Sequence, residues 1–136
     1  MAPSRPNPAG RRVLVVEDEP FIAAIFAELI HELGYEVSGF ANGIASARRE
    51  ISKRDFDVVL LDLSLGGQYS PELADLLVEM KVPFAFVTGY SRPFEARHSH
   101  IPLLHKPFTL GQLNSVLNAL MGLHTTRYRR ANIKAA

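Results

Sequence analysis

The sequence predicts an α/β protein in which a parallel β-sheet carries helices on both faces. Three observations support this fold class. Short apolar runs rich in Val and Leu alternate with longer segments of helical periodicity. The runs at 13–16 and 58–61 are apolar throughout, which is typical of strands buried on both faces. Each run ends in a polar residue or a turn signal, and this alternation favours parallel strands joined by right-handed crossovers.

The first half of the chain predicts two strand–helix units and a third strand. In chain order these are strand 12–16, helix 20–33, strand 35–40, helix 44–54 and a strand that ends at Asp62. Pro20 suits the first turn of a helix, because backbone N–H groups there have no partner within the helix and proline lacks one. Gly34 suits the position after a helix end. The third strand is a run of four apolar residues that Asp57 and Asp62 bracket.

The second half predicts the remaining units. These are helix 71–80, strand 82–87, a short helix near 93–97, strand 101–104 and a last helix over 110–122. Ser70 followed by Pro71 is a helix-start signal, and Thr109 with Gln112 fits a capping box. The result is a strand–helix pair repeated five times along the chain.

Length and composition narrow the class of protein further. The chain has 136 residues, which suits one domain, and its 47% hydrophobic and 21% charged residues are typical of a folded globular protein. A net charge of +1 gives no general attraction to nucleic acid or membranes, and the lack of cysteine excludes disulfides and thiolate metal sites. No apolar run approaches the roughly 20 residues that span a bilayer, and residues 1–12 lack the apolar core of a secretory signal. We therefore expect a cytoplasmic protein.

Polar residues converge on one edge of the predicted sheet. The chain length favours the strand order 2-1-3-4-5, in which a crevice opens between the carboxyl ends of strands 1 and 3. Five polar residues end four of the strands at this edge: Glu17, Asp18, Asp62, Thr88 and Lys106. Ligands bind at this edge in open parallel sheets, so these side chains are the candidate site.

These residue types predict phosphoryl transfer. Two carboxylates about 4 Å apart repel by roughly 4 kcal/mol at an effective dielectric near 20, so three of them need a proton or a cation. Oxygen ligands without His or Cys suit a hard ion such as Mg²⁺. A lysine and a hydroxyl can bind an oxyanion, and a carboxylate can act as the nucleophile that forms an acyl phosphate. Asp62, at the centre of the edge, is the predicted nucleophile.

Four motifs at the strand ends resemble those of the receiver domain of two-component response regulators. They are Val15-Val16-Glu17-Asp18-Glu19-Pro20, Val59-Leu60-Leu61-Asp62, Val87-Thr88-Gly89 and Leu104-His105-Lys106-Pro107-Phe108. The resemblance covers about residues 12–122, with every motif in order. It implies a flavodoxin-like, doubly wound, five-stranded parallel sheet of order 2-1-3-4-5.

The resemblance also implies a metal site. By it, Asp18 binds Mg²⁺ directly, with Mn²⁺ as an alternative ion, and Glu17 acts through a water molecule. Asp62 and the backbone carbonyl of Ser64 complete the ligand set. Glu19, by contrast, is expected only to favour the start of the following helix.

The phosphoryl group is expected on Asp62. The resemblance makes Asp62 the phosphoacceptor, which takes the group from the His of a histidine kinase or a phosphotransfer protein. Thr88 and Lys106 are expected to bind the phosphoryl oxygens. The family usually has a cis peptide before the proline, so Lys106–Pro107 is expected to be cis, with the lysine placed inward.

The run from Pro83 to Tyr90 is similar to the FAT-GUY subgroup of receivers, with Val87 in place of the alanine. That subgroup consists mostly of stand-alone receivers with an altered fourth helix, so we expect a short or altered helix here. Receivers often carry Tyr or Phe three residues before the lysine, where it responds to the threonine. Here that position is Leu103, which offers neither ring nor hydroxyl, and Tyr90 is our hypothesis for the residue that takes its place.

The chain is expected to divide into a flexible arm (1–11), a receiver domain (12–123) and a solvated, disordered basic tail (124–136). His98 and His100 are expected in an exposed loop. No DNA-binding domain fits in the tail, and no membrane contact is expected. The downstream protein partner is unknown, and a homodimer through the face of strands 4 and 5 and the last helix stays open.

Other functions stay open at this point. The chain is alternatively a degenerate receiver that binds proteins without phosphorylation, or a receiver excised from a hybrid kinase. An aspartyl-phosphate hydrolase is a further alternative, although Ser64 stands where haloacid-type enzymes have a second Asp. Apart from its own phosphorylation and dephosphorylation, a receiver catalyses no reaction, so we expect a signalling protein rather than an enzyme.

Overall fold

Strands and helices alternate along the chain as the apolar patterning predicts. The computed structural model describes residues 11–65, 68–69, 71–89 and 95–135, of which 68–69 and 124–135 are described by their backbone alone. The elements are β1 (Arg12–Val16), α1 (Pro20–Glu32), β2 (Glu36–Ala41), α2 (Ile44–Ser52), β3 (Val58–Asp62), β4 (Ser64–Leu65), β5 (Gln68–Tyr69), α3 (Pro71–Met80), β6 (Phe84–Thr88), a 3₁₀ helix (Ala96–His98), β7 (Leu103–His105) and α4 (Leu110–Ala135).

Five of the strands form one parallel sheet in the order β2-β1-β3-β6-β7. Counted along the chain without the short β4 and β5, this is the predicted order 2-1-3-4-5, so the predicted fold is confirmed. Val16 lies beside Leu61, and Asp62 beside Val87, so the carboxyl ends of the three central strands are level. Polar residues that follow these strands therefore meet at one edge.

Each face of the sheet is buried under helices. Side chains alternate along β1, so that Val13 and Val15 face one cluster of buried residues while Leu14 and Val16 face another. The first cluster is covered by α1 and α4, and the second by α2 and α3. The helix residues buried in them are Phe26, Ile30, Leu113, Leu117, Leu120 and Met121 on one side, and Ala47, Ile51, Leu73, Ala74 and Leu77 on the other.

The last strand of the sheet differs from its predicted bounds. It covers Leu103–His105 rather than 101–104, because Pro102 has no N–H to donate and contributes only its carbonyl, which accepts from the Phe86 N–H at 2.9 Å. Between β6 and β7 the described residues contain a single 3₁₀ turn, Ala96–His98, whereas part of the short helix predicted near 93–97 lies outside the described residues. The antiparallel pair β4–β5 was not predicted, since two-residue strands carry no periodicity.

The structure differs from two further expectations, for the C-terminal segment and for His98. The α4 helix continues to Ala135, so the backbone of the segment expected to be a disordered tail is helical. No proline follows Gly122, and Arg, Lys, Ala and Leu are good helix formers. His98 is buried rather than exposed, whereas His100 is exposed. The arm 1–10 and Tyr90 lie outside the described residues, so the predictions for them stay predictions.

Local signals at the helix ends match the structure in places. The predicted capping box starts α4: the Gln112 N–H donates to Thr109 Oγ1 at 3.1 Å, and the Thr109 N–H donates to Gln112 Oε1 at 2.9 Å. Gly34 follows α1 with a φ of +90°, a conformation that favours glycine. No helix in the part of the chain described by the structure is long and apolar enough to cross a membrane.

Candidate functional site

A pocket of about 460 Å³ opens at the carboxyl edge of the sheet. It is lined by Glu17, Asp18, Glu19, Asp62, Ser64, Thr88, Gly89 and Lys106. The structure thus brings the five predicted edge residues and Ser64 together around one space. Glu19 and Gly89 also line it, although Glu19 was expected only to favour a helix start. Its place directly after Glu17-Asp18 is the signal that could have indicated this position.

The sheet itself holds the three acids in place. Asp62 is the last residue of β3, the central strand, and the next N–H, that of Leu63, donates to the Val87 carbonyl at 3.0 Å. The Glu17 N–H donates to the Ala41 carbonyl of β2 at 2.9 Å. Asp18 follows directly, before α1 begins at Pro20. These backbone hydrogen bonds position the chain at Glu17 and next to Asp62, and all three acids line the pocket.

The three carboxylates form one cluster. One oxygen each from Glu17, Asp18 and Asp62 lies within 4.8 Å of the other two. Glu17 is 3% exposed and Asp62 is 6% exposed, so their charges are largely removed from water. Backbone donors compensate in part: the Ser64 N–H donates to Asp62 Oδ1 at 3.0 Å, and the Glu19 N–H donates to Glu17 Oε2 at 3.1 Å.

Lys106 is the cation of the pocket. Its Nζ lies 3.0 Å from Glu17 Oε1 and 3.7 Å from Asp62 Oδ2. The backbone N–H of Lys106 donates to the Thr88 carbonyl at 2.7 Å, which ties the residue to the end of β6. The Lys106–Pro107 bond is cis, as expected. One lysine facing two buried acids leaves the cluster with excess negative charge.

Phe108 anchors the turn that carries Lys106. Its ring stacks on that of Phe26 in α1, with centroids 4.9 Å apart and an interplanar angle of 23°. This contact ties the turn after β7 to the apolar cluster under α1 and α4. Sequence reasoning missed it, because the two rings are far apart along the chain and neither has a polar signature.

Burial and charge shift the ionisation of the pocket. Burial, together with the negative charge of Glu17, raises the pKa of Asp62 to about 7, against the lowering effects of the Ser64 N–H and Lys106. Burial alone would lower the pKa of Lys106. Its hydrogen bond to Glu17 and the charges of Asp62 and Glu17 outweigh burial and raise that pKa above its ordinary value. A proton or a second cation therefore stabilises this cluster.

The donor set fits a hard divalent cation. Three carboxylates that converge within 4.8 Å offer oxygen ligands only, and Mg²⁺ is bound in proteins by one or two carboxylates together with water and phosphate oxygens. Among the described residues, this is the one group of three or more acidic or His side chains arranged to hold a metal ion. The chemistry of the site is thus that of an acidic, cation-binding pocket with a lysine and a hydroxyl on its rim.

The remaining predicted residues lie around this pocket or outside the description. Thr88 ends β6 and is 1% exposed, with its neighbour in β7 being His105. Leu103 is half-buried beside Phe86 and packs into the cluster under α2 and α3. Tyr90 is not among the described residues. Leucine therefore occupies the strand position where an aromatic residue is usual.

A central acid, two further carboxylates, a threonine and a lysine at the edge of a 2-1-3-4-5 sheet define a class of signalling protein. The sequence pattern of the response regulator receiver domain matches residues 13–118, and the chain belongs to that family. Receiver domains normally bind Mg²⁺, and the acidic cluster is the place in this chain where a metal ion fits.

Particular relatives are bacterial regulators. The chain is 32% identical over 127 residues to the phyllosphere-induced regulator PhyR of Methylorubrum extorquens, which covers 88% of this chain and 47% of PhyR. The chain therefore spans about half the length of that curated relative. Among solved structures, SdrG from Sphingomonas melonis Fr1 superposes with a TM-score of 0.74 at 32% identity, over 83% of this chain and 98% of SdrG.

SdrG is also similar in a second state. The solution structure of its BeF3-activated conformation superposes with a TM-score of 0.70 at 33% identity, over 80% of this chain and 94% of that chain. These likenesses support the receiver fold over almost the whole of the described domain.

Proposed function

We propose that this protein is a single-domain response regulator that accepts a phosphoryl group on Asp62 in the presence of Mg²⁺. The donor is a phosphohistidine on a histidine kinase or a phosphotransfer protein. One observation carries the proposal: Asp62 is a buried carboxylate that clusters with Glu17 and Asp18 in a pocket that Lys106 also lines. That the similar SdrG adopts a BeF3-activated conformation supports it.

The geometry suits transfer from phosphohistidine to a carboxylate. An Asp62 carboxylate oxygen attacks the phosphorus and forms an acyl phosphate bond. The phosphorus–nitrogen bond breaks with its electron pair going to the nitrogen, and the donor ring, protonated on its other nitrogen, leaves as neutral imidazole. Thr88 and Lys106 line the same pocket and would donate hydrogen bonds to the phosphoryl oxygens. Positioning and charge stabilisation are the main contributions of protein groups in such transfers.

The acids would hold the metal ion. Asp18 and Asp62, with the Ser64 carbonyl, are the proposed direct ligands, and Glu17 would act through water. A bound Mg²⁺ supplies positive charge that offsets both the acid cluster and the phosphoryl oxygens. Glu17 meanwhile keeps its ion pair with Lys106, which holds the lysine at the pocket.

We further propose that output proceeds through protein contacts. The match covers 98% of SdrG, so the two proteins share the receiver fold from end to end, and the surface of that fold is the proposed site of output. A phosphorylation-independent binding module is the second candidate, because the half-buried Leu103 lacks the ring through which receivers usually sense the threonine.

Intact-mass spectrometry after incubation with acetyl phosphate and Mg²⁺ tests the phosphoacceptor. The wild type should gain one phosphoryl group and Asp62→Asn none. Asp55→Asn is a matched control, because Asp55 is an exposed acid that pairs with Arg12 and does not line the pocket. No phosphoryl mass from acetyl phosphate or from a cognate kinase would favour the binding module. Steady multiple turnover of a small phosphate ester would favour a hydrolase.

A further inference from the structure

A buried histidine lies beside the sheet, away from the acidic pocket. His98 ends the 3₁₀ helix between β6 and β7 and is 1% exposed, whereas its neighbours Arg97 and Ser99 are exposed. A histidine so fully buried in an exposed segment needs partners for its ring and its nitrogens. The structure shows what these partners are.

Asp75 of α3 holds one ring nitrogen. His98 Nε2 lies 2.8 Å from Asp75 Oδ1, and Arg97 binds both oxygens of the same carboxylate, with Nε at 2.9 Å and Nη2 at 2.8 Å. The hydrogen bonds from Arg97 and His98 lower the pKa of Asp75 to about 2. Because an ionised carboxylate can only accept, Nε2 carries the proton and donates it. Two adjacent residues thus attach the 3₁₀ helix to one exposed side chain of α3.

The ring connects this attachment to the phosphorylation pocket. The His98 imidazole packs against Phe86 of β6, with centroids 5.8 Å apart and an interplanar angle of 62°. Phe86 and Thr88 are two residues apart on a strand, so their side chains lie on the same face of the sheet. Thr88 is thus linked to Phe86 through the strand, Phe86 contacts His98, and His98 is hydrogen-bonded to Asp75 at the surface.

The other ring nitrogen of His98, Nδ1, has no hydrogen-bond partner among the residues that the structure describes. Three buried side-chain nitrogen or oxygen atoms of the described residues lack a hydrogen bond: Arg12 Nε, Glu17 Oε1 and His98 Nδ1. Arg12 Nε and Glu17 Oε1 each have an ion pair, with Glu36 and Lys106. His98 Nδ1 has neither among these residues, and it would gain a hydrogen bond from water if the ring left its site. Contacts with Asp75 and Phe86 thus stabilise the buried ring, whereas the desolvation of Nδ1 destabilises it.

We propose that His98 is a positioning residue that reports the state of the pocket at the surface formed by α3 and the 3₁₀ helix. This inference rests on the proposed phosphorylation of Asp62. Phosphoryl oxygens that bind Thr88 displace the end of β6 and with it Phe86, and the His98 ring then leaves Phe86 and Asp75. The release removes the third hydrogen-bond donor from the Asp75–Arg97 ion pair, whose side chains are both about half exposed, and so changes the surface presented to a partner protein.

Nitrogen NMR of the imidazole tests the coupling directly. Full-length protein with ¹⁵N-labelled histidine is observed before and after treatment with acetyl phosphate and Mg²⁺, and phosphorylation is followed by intact mass. We expect the Nε2–H signal of His98 to be protected from exchange beforehand and lost afterwards, while exposed His100 is unchanged. A phosphorylated protein with an unchanged His98 signal overturns the inference and leaves the proposed function standing. A protein that no donor phosphorylates overturns both.

Variants separate a reporting role from a merely structural one. His98→Phe keeps a ring beside Phe86 but cannot donate to Asp75, and His100→Phe is the matched control on the same segment. We expect the phosphorylation-dependent amide shifts of residues 75 and 97 to be lost in H98F and retained in H100F. Asp75→Ala removes the acceptor at an exposed position and should lose the same shift at residue 97, whether or not H98F folds. Wild-type shifts at residue 97 in D75A, at full phosphorylation, contradict the proposal.

Discussion

At the scale of single residues, Asp62 defines the chemistry of this receiver. Its carboxylate is buried beside Glu17, and the Ser64 N–H and Lys106 compensate this burial incompletely. The pKa of about 7 means that, without a metal ion, Asp62 is partly protonated at neutral pH. An added cation would therefore stabilise the site, and without one the buried charge of Asp62 lowers the stability of the folded protein.

This pKa predicts a pH dependence of folding. The pKa of Asp62 is raised from 3.8 when unfolded to about 7 when folded, so between these values the folded state binds more protons and stability falls as pH rises. The full shift corresponds to about 4 kcal/mol, and we expect about 1–2 kcal/mol, because water and side-chain movement relieve part of the burial.

Urea unfolding in EDTA at pH 5 and pH 7.5 measures this effect. Asp62→Asn should remove the fall between the two pH values and be the more stable protein at pH 7.5. Asp55 is an exposed acid at the opposite edge of the sheet, so Asp55→Asn should show the same pH dependence of stability as the wild type. Equal pH dependence in the wild type and in D62N would show that Asp62 does not titrate in this range.

At the scale of elements, the start of α1 brings an apolar surface next to the acids. Phe21 is 76% exposed and Phe40 of β2 is 46% exposed. A shallow cavity of about 430 Å³ runs from Glu17 and Asp18 along α1 to Phe40. Under the proposed function, a protein donor has to cover the mouth of the pocket to bring its histidine to Asp62. The exposed rings are placed to contact it there.

Phe21→Ala should therefore slow transfer from a protein donor without changing the phosphorylation chemistry. We expect the rate from the cognate kinase or phosphotransfer protein to fall about tenfold, the effect of losing roughly 1.4 kcal/mol of interface contact. The rate with acetyl phosphate, which needs no protein surface, should be unchanged. Val78→Ala, which trims an exposed apolar residue on α3, is the control. Equal slowing with both donors would place Phe21 in the chemistry instead.

At the scale of the whole molecule, the pocket depends on a sheet that two helix layers hold in register. Leu117 of α4 is fully buried under β-strands that end in the site. Leu117→Ala should lower the free energy of unfolding by about 2–5 kcal/mol through lost contacts and a cavity. Denaturant unfolding measures the loss. Phosphorylation of the folded fraction should be retained, and its absence would mean that the pocket itself is distorted.

Metal binding should stabilise the molecule as a whole. A cation that binds only the folded state at 100 times its Kd adds about 2.7 kcal/mol to the free energy of unfolding. We expect Mg²⁺ to raise the melting temperature of the wild type and to raise that of Asp18→Asn much less. An equal concentration of Na₂SO₄ with EDTA controls for ionic strength. If Mg²⁺ does not change the melting temperature of the wild type, the proposed metal site is contradicted.

The strands and helices were largely predictable because their signals are local. Apolar runs, the Thr109–Gln112 capping box and Gly34 after α1 each act within a few residues, and the structure contains all of them. The two-residue strands β4 and β5 are too short for any period. The start of β7 depends on Pro102, which has no backbone N–H to donate to β6. This matters only in the pairing of β7 with β6, where the Phe86 N–H donates to the Pro102 carbonyl, and that pairing exists only once the sheet has formed.

The sequence by itself determined which polar residues end the strands and meet, because parallel strands that alternate with helices bring their carboxyl ends to one edge. Chain length and motif resemblance favoured the order of the strands. It therefore indicated Asp62, Asp18, Thr88 and Lys106 as neighbours. Only the tertiary structure decided that Lys106 pairs with Glu17 and that Phe108 stacks on Phe26. It also decided that His98 is buried, because the partners that bury it, Asp75 and Phe86, lie on other elements and no local pattern at residue 98 refers to them.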